Sequence, residues 1–72
     1  MYELNFYDKE TDELVRDFEL PRLTSKDIFD IFGFSLDGNC ADVSEEQLNK
    51  IELLLDRKFN IEGCQISICE VT

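Results

Sequence analysis

Residues 2–20, YELNFYDKETDELVRDFEL, decide the fold because two runs of alternating apolar and polar side chains flank a short polar loop. In the first run, Tyr2, Leu4 and Phe6 share one face, and polar or amphipathic side chains take the other. This period of two residues is typical of a strand with one buried face. The loop over residues 8–13 has the composition of a turn. The stretch therefore predicts an antiparallel β-hairpin.

The second run of the hairpin covers residues 13–20 and alternates in the same way, although Arg16 interrupts its apolar face. The residues predicted to form that face are Leu14, Phe18 and Leu20. Pro21 follows directly and cannot donate a hydrogen bond to a neighbouring strand. The second strand is therefore predicted to end at Leu20.

The residues after the hairpin predict a short helix over residues 25–32, SKDIFDIF. Thr24 or Ser25 can accept the first free backbone N–H groups, and Gly33 suits the left-handed residue that often follows a helix. The side chains predicted to form its apolar stripe are Ile28, Phe29, Ile31 and Phe32. Two turns are marginal alone, so we expect tertiary packing to hold this helix.

A second helix is predicted from the sequence SEEQ, in which Ser44 is the N-cap and Gln47 stands three residues later. The helix is expected to run to about Arg57, whose charge suits the negative end of the helix dipole. The residues predicted to form its buried stripe are Leu48, Ile51, Leu54 and Leu55.

The chain closes with a third alternating run over residues 64–71, CQISICEV, whose core face is predicted to carry Ile66 and Ile68. The order of elements is β-β-α-α-β. We therefore predict an α+β fold in a single domain, residues 1–72, with the N-terminal hairpin and the C-terminal strand in one sheet and both helices packed on one face.

Composition excludes several classes of partner. The 72 residues include 17 acids against 7 bases, a net charge of −10. A surface of this charge repels phosphate, so we expect neither nucleic acid nor an anionic membrane as a partner, and we expect a basic protein instead. The residues after Met1 do not form a signal peptide, and no apolar run reaches the ~18 residues of a membrane-spanning helix. We therefore expect a cytoplasmic protein.

The three cysteines, Cys40, Cys64 and Cys69, are predicted to be free thiols in a reducing compartment because their number is odd and no secretory signal is found. On a strand, Cys64 and Cys69 lie on opposite faces and about 17 Å apart, which excludes a disulfide between them. Cys40, in a polar segment, could be a reactive thiol, but the nearby Asp37 and Asp42 disfavour its thiolate.

Residue types argue against catalysis and bound cofactors. The chain has no His, which excludes serine and cysteine triads and zinc sites that use His. The residues Asp8, Glu10, Asp12 and Glu19 follow the spacing of a calcium-binding loop, but Glu13 stands where such a loop needs Gly. A carboxylate pair remains as a chemical alternative, yet so small a domain offers little room for a desolvating cleft. We expect no enzyme, no cofactor and no metal.

The segment between the helices, residues 34–46, FSLDGNCADVSEE, is the longest run without a regular apolar period. It joins carboxylates to an aromatic side chain, Phe34, and aromatic anchors with complementary charge are typical of protein interfaces. The alternative for Phe34 is that it only packs beneath the loop. The residues predicted to bind a partner, including one acid of the first helix, are Asp30, Phe34, Asp37, Asp42, Glu45 and Glu46.

The assembled pattern resembles a family of small, acidic, uncharacterised bacterial domains, some of them similar to immunity proteins. The matching segments are Phe6–Pro21 (FYDKETDELVRDFELP), Ile31–Phe34 (IFGF), Val43–Gln47 (VSEEQ) and Phe59–Glu62 (FNIE). The closing strand departs from the family pattern because ISIC stands where more aromatic residues are expected. The resemblance implies a bacterial immunity protein that neutralises a basic toxin, such as a nuclease, by covering its active-site surface. The alternative is an acidic adaptor, a regulatory module or a nucleic-acid mimic.

Overall fold

The computed structural model describes residues 1–71 and contains one four-stranded antiparallel sheet and two helices. The elements are β1 (Tyr2–Asp8), β2 (Leu14–Leu20), α1 (Ser25–Phe32), β3 (Cys40–Asp42), α2 (Glu45–Leu55) and β4 (Cys64–Glu70). The predicted α+β class, the hairpin, the two helices and the closing strand are confirmed. The sequence did not predict β3, which is three residues long and therefore too short to show an alternating period.

The strand order is β2-β1-β4-β3, so the first and last strands of the chain form the centre of the sheet. β1 pairs along its whole length with β4, from Tyr2 opposite Glu70 to Asp8 opposite Cys64. β3 extends the sheet beyond β4. The chain therefore brings its two ends together in the middle of the sheet.

The core lies on the face of the sheet that carries the even-numbered residues of β1, as the alternation predicts. The side chains of Tyr2, Leu4 and Phe6 are buried, and the Tyr2 hydroxyl lies 3.2 Å from Ser25 Oγ at the start of α1. The buried apolar residues elsewhere in this core are Leu20, Leu23, Ile28, Leu36, Val43, Ile51, Phe59 and Ile68. Both helices pack on this face, which is called the inner face below.

The prediction that Leu14 lies on the apolar face of the second strand is wrong, because the hairpin contains a β-bulge. The register runs regularly to Phe6 opposite Arg16 and then shifts, so that Tyr7 stands opposite Leu14. An extra residue, Val15, reverses the alternation at this point. Leu14 consequently lies on the same face as Tyr7, opposite the core, and is exposed.

Arg16 interrupts the apolar face of β2 because it covers an aromatic cluster. The rings of Phe6, Phe18 and Phe59 lie within 4.9–5.8 Å of one another, measured between centroids. The guanidinium groups of Arg16 and Arg57 each lie 5.1 Å from the Phe18 centroid, a distance that favours cation–π attraction. Two of the seven basic side chains are thereby held on the inner face.

Both helices begin at N-cap residues that the sequence predicts. Thr24 caps α1 and Ser44 caps α2, each through a reciprocal pair of hydrogen bonds with the residue three positions later. Gly33 ends α1 in the left-handed region, with φ of 82°. α2 ends at Leu55 rather than near Arg57, because Asp56 adopts a left-handed conformation there.

The predicted apolar stripes of the helices are too wide. On α1, Ile28 is buried and Ile31 and Phe32 are half-buried, but Phe29 is exposed. On α2, Leu54 is exposed as well, unlike the other residues of the predicted stripe. Each short helix therefore buries only part of the stripe that its sequence predicts.

The prediction that all three cysteines are free thiols is wrong. Cys40 and Cys69 form a disulfide between β3 and β4, where they stand directly opposite each other in the register. A reactive thiol at Cys40, which the sequence already disfavoured, is therefore excluded in this state, and Cys64 is the one free cysteine among residues 1–71. Disulfides persist mainly in oxidising compartments, so this bond does not favour the predicted cytoplasmic location, which stays a prediction.

Candidate protein-binding loop

The acidic loop, defined as residues 34–42, is built around a tight turn. Asp37 and Gly38 both have positive φ, 52° and 82°, and the Asn39 N–H donates to the Leu36 carbonyl at 3.0 Å. Two successive left-handed residues closed by this bond form a type I′ turn, for which Asp-Gly is a preferred sequence. Leu36 is buried and anchors the turn to the core.

Two hydrogen bonds tie this turn to β4. The Gly38 N–H donates to Glu70 Oε1 at 2.7 Å, and the Glu70 N–H donates to the Asn39 carbonyl at 3.1 Å. Glu70 thus contacts the turn through both its side chain and its backbone. The carboxylate accepts a charge-assisted bond, which is stronger than a bond between neutral groups.

The disulfide is the third tether of the loop. Cys40 follows the turn directly and is bonded to Cys69 of β4. The buried Asn5 side chain of β1 donates from Nδ2 to Cys69 Sγ at 3.6 Å. The loop is therefore fixed to the central strands by covalent, hydrogen-bonded and apolar contacts at the same time.

All six residues predicted to bind a partner are exposed. Phe34 follows the end of α1, is 47% exposed, and has its ring centroid 6.2 Å from that of Phe32. The alternative in which Phe34 packs fully beneath the loop is therefore not what the structure shows, because Leu36 takes that buried position. Asp37 lies at the tip of the turn.

Asp42 and Glu45 lie on either side of the junction between β3 and α2. Both line a groove between α2 and the segment that leads into β4, which Glu46 does not line. Two lysines, Lys9 and Lys58, line the same groove. The structure therefore groups Asp42 with Glu45, partly balanced by nearby positive charge, and does not gather all six predicted residues around one cavity.

Asp30 is already engaged within α1. Its Oδ2 accepts a hydrogen bond from Lys26 Nζ at 3.0 Å, one helical turn earlier. This hydrogen bond, followed by the attraction between the charges, raises the pKa of Lys26 above its ordinary value. Asp30 is consequently the least available of the predicted carboxylates.

The sequence reasoning missed an acidic surface on the sheet. The face opposite the helices, called the outer face below, is not covered by another element of the described chain. By register and alternation, its charged residues on the strands are Glu3, Asp17, Glu19 and Asp42. None of the strand residues on this face is Lys or Arg. The same alternation that placed Tyr2 in the core could have identified this face.

The described residues hold no constellation for metal chemistry. Within residues 1–71, no three His, Cys, Asp or Glu side chains are grouped so as to hold a metal ion. In the same part of the chain, neither helix has the length and apolar character needed to cross a bilayer. What the exposed loop and the outer face offer is charge, an aromatic side chain and hydrogen-bonding groups.

Comparison with known proteins gives a family and nothing more specific. No curated protein matches the chain, and no solved structure matches it either. A family model described as a domain of unknown function, DUF7683, matches residues 1–69, which is nearly the whole chain. The expectation of an uncharacterised family is confirmed in that respect. The chain therefore belongs to the DUF7683 family of domains of unknown function.

Proposed function

We propose that this domain is a non-enzymatic binding protein whose partner is a basic protein. The observation that carries the proposal is the rigid presentation of the acidic loop. The turn carries the exposed carboxylate of Asp37 at its tip, is flanked by the exposed Phe34 and Asp42, and has three separate tethers to the sheet. A loop that is already ordered loses little entropy on binding, which favours affinity.

The chemistry of the loop fits a positive groove on the partner. Aromatic side chains supply the buried centre of many interfaces, and surrounding charges of the right sign accelerate association. The net charge of −10 extends this attraction beyond the contact itself. Asp37, Asp42, Glu45 and Glu46 would meet basic residues that otherwise receive phosphate groups.

The more specific form of the proposal is a bacterial immunity protein. Its partner would be a basic toxin, such as a nuclease, whose active-site surface the domain covers. The resemblance of the hairpin, helix ends and capping segment to immunity-like domains supports this form, as does the acidity of the surface. A toxin encoded beside this gene is the partner to test first.

The test measures protection and affinity with matched variants. The product of the neighbouring gene is expressed in cells with and without this protein, and survival is scored. The double variant Asp37→Asn with Asp42→Asn removes two loop charges, and Asn tolerates the left-handed conformation of residue 37. We expect it to weaken the complex by about tenfold or more, as the loss of two interfacial charge pairs implies.

The control changes the net charge equally at a distant place. Glu10→Gln with Glu13→Gln alters two exposed acids near the tip of the hairpin and should leave the affinity within about twofold, because salt screens exposed charges that lie far from the contact. Phe34→Ala should weaken binding as well. Equal affinities for the loop variants and the control would remove the acidic loop from the site, and failure of the unaltered protein to bind the toxin would remove the immunity role.

A second candidate is supported by the outer face of the sheet. Four carboxylates on a face whose strand residues include no Lys or Arg could imitate a phosphate backbone, as expected for a nucleic-acid mimic or an acidic adaptor. Such a protein binds several basic partners, and its affinity falls steeply with salt. A shallow salt dependence together with a single preferred partner would favour the immunity role instead.

A further inference from the structure

We propose that the free edge of β2 binds an extended basic segment of a partner protein by adding it to the sheet as a fifth strand. This site is separate from the acidic loop, and the inference holds whether or not the loop binds a toxin. β2 lies at the end of the sheet, is seven residues long, and pairs with β1 alone. A long unpaired edge is a template for another strand.

Hydrogen bonds at the two ends of β1 show which backbone groups point to which neighbour. The Asp8 N–H donates to the Glu13 carbonyl at 2.9 Å, toward the β2 side. The Val71 N–H donates to the Met1 carbonyl at 2.8 Å, on the β4 side. Because backbone groups alternate in direction along a strand, the even residues of β1 face β2 and the odd residues face β4.

The same alternation assigns the free groups of β2. Leu20 stands opposite Tyr2, and Phe18 stands opposite Leu4, so both residues bond to β1. Asp17 and Glu19 alternate with them. Their N–H and C=O groups therefore point away from β1 to the open edge, where no element of the described chain pairs with them.

The side chains along this edge select a basic strand. Asp17 and Glu19 are exposed on the outer face, so each would stand directly opposite one residue of an added strand. Opposite charges in such positions attract, and like charges repel. Phe18 and Leu20 lie on the inner face, next to positions where an added strand would place apolar side chains. The complementary segment alternates Lys or Arg with apolar residues.

A second copy of this chain does not fit the edge. Antiparallel pairing of two β2 strands through these free groups sets Asp17 against Asp17, Glu19 against Glu19, or Asp17 against Glu19. Each arrangement places carboxylates directly opposite each other, in addition to the repulsion between two chains of charge −10. The charges thus oppose self-association and leave the edge open to a basic strand.

The opposite edge of the sheet is a poorer template. β3 has three residues and is joined to β4 by the disulfide. Short edge strands offer few hydrogen bonds to an added chain. The β2 edge is the longer of the two and has acidic residues at the positions where its backbone is free.

The test uses a synthetic peptide of seven residues that alternates lysine and valine, with blocked ends. Binding is followed by amide hydrogen exchange in the unaltered protein, measured by NMR. We expect the amide protons of Asp17 and Glu19 to exchange more slowly with peptide, because they become hydrogen-bonded. The amide protons of Phe18 and of the acidic loop should keep their exchange rates.

Two matched comparisons separate strand addition from simple charge attraction. A peptide of the same sequence with its lysine backbone nitrogens methylated keeps the charge but loses the donors that would face Asp17 and Glu19, and it should bind about tenfold more weakly. The protein variant Asp17→Lys with Glu19→Lys should lose at least tenfold in affinity for the unmethylated peptide. The variant Glu45→Lys with Glu46→Lys changes the net charge equally and should lose much less of that affinity.

Three results would overturn the inference. The first is the absence of binding at low salt, and the second is equal binding of the methylated peptide. The third is slowed exchange at the acidic loop instead of at Asp17 and Glu19, which would support the loop site and reject the edge. Because the exchange measurement uses the unaltered protein, it does not depend on whether any charge variant folds.

Discussion

Replacing Cys40 and Cys69 by serine is expected to lower the free energy of unfolding by about 3.5 kcal/mol while leaving the sheet in place. The bond closes a segment of the chain with a sequence separation of 29 residues. In the chain-entropy description, a cross-link over this length removes about 12 cal/mol/K of entropy from the unfolded chain. At 25 °C this entropy corresponds to about 3.5 kcal/mol.

This loss is large for a domain of 72 residues. Proteins of this size unfold with a free energy of about 4–11 kcal/mol, so the disulfide supplies a third of the total or more. The expected decrease in melting temperature is about 14–28 °C, from the usual 4–8 °C per kcal/mol in domains of this length. β3 would retain its backbone pairs with β4, because these do not depend on the sulfur atoms.

The measurement compares urea unfolding of the oxidised protein, the reduced protein and the double serine variant. Thiol titration of the denatured, unreduced protein should find one free thiol, Cys64, and three after reduction. The dependence of the unfolding free energy on urea should be steeper without the disulfide, because the unfolded chain then exposes more surface. Cys64→Ser is the control and should cost about 1 kcal/mol or less.

A difference in unfolding free energy of less than about 1 kcal/mol between the oxidised protein and the double serine variant would contradict the expected cost. Three free thiols in the denatured, unreduced protein would contradict the expectation equally. The first result would mean that the unfolded chain already keeps β3 near β4. The second would mean that Cys40 and Cys69 do not form a bond in solution.

Three further predictions concern the caps, the turn and the core. The Thr24 N–H and hydroxyl donate to Asp27 and lower its carboxyl pKa, so this contribution to stability is present above the unfolded pKa of about 3.9 and is lost as the pH falls through the lower folded value. Thr24→Ala removes the hydroxyl but keeps the N–H, which is the larger cause, so a carbon-detected NMR titration should show the pKa of Asp27 rising only part of the way to its ordinary value. Gly38→Ala should lower the unfolding free energy measured in urea by about 1 kcal/mol, because φ is 82°, while an added Cβ would meet no atom within 4 Å. An unchanged unfolding free energy would contradict the turn geometry. Phe6→Ala should cost about 3–5 kcal/mol, because the side chain is fully buried among aromatic rings, and a thermal midpoint close to that of the unaltered protein would exclude this packing.

Local signals in the sequence predicted the parts of the fold that depend on neighbouring residues. The alternation of Tyr2, Leu4 and Phe6, the cap at Ser44 and the helix end at Gly33 each involve residues within a few positions. Such contacts are set by backbone geometry and by the period of the side chains. They are visible in one sequence without knowledge of what the element packs against.

Features that depend on distant residues could not be predicted in this way. The strand order and β3 follow from the pairing of β4 with two partners at once, which no short pattern reports. The disulfide between Cys40 and Cys69 depends on that same arrangement, because β3 and β4 must be adjacent before the two thiols meet. The bulge at Val15 depends on how the hairpin closes.

The candidate site was predicted only in part. The six residues chosen from the sequence are all exposed, as a binding surface requires. The tethers that order the acidic loop come from β4, about 30 residues away, and no local pattern predicts them. The salt bridge of Asp30 could have been predicted, because Lys26 stands one turn earlier on the same helix. The acidic outer face could also have been derived, because it follows from the parity of the strand residues.

The central pairing of β1 with β4 also sets the order in which the chain can fold. The hairpin joins residues that are close in sequence and can form within microseconds. The other edge of β1 stays unpaired until residues 64–70 arrive, because Tyr2 pairs with Glu70 at the far end of the chain. Closing so large a loop is slow, and an open apolar strand is prone to aggregate meanwhile. During synthesis, the sheet therefore stays incomplete until residues 64–70 have left the ribosome.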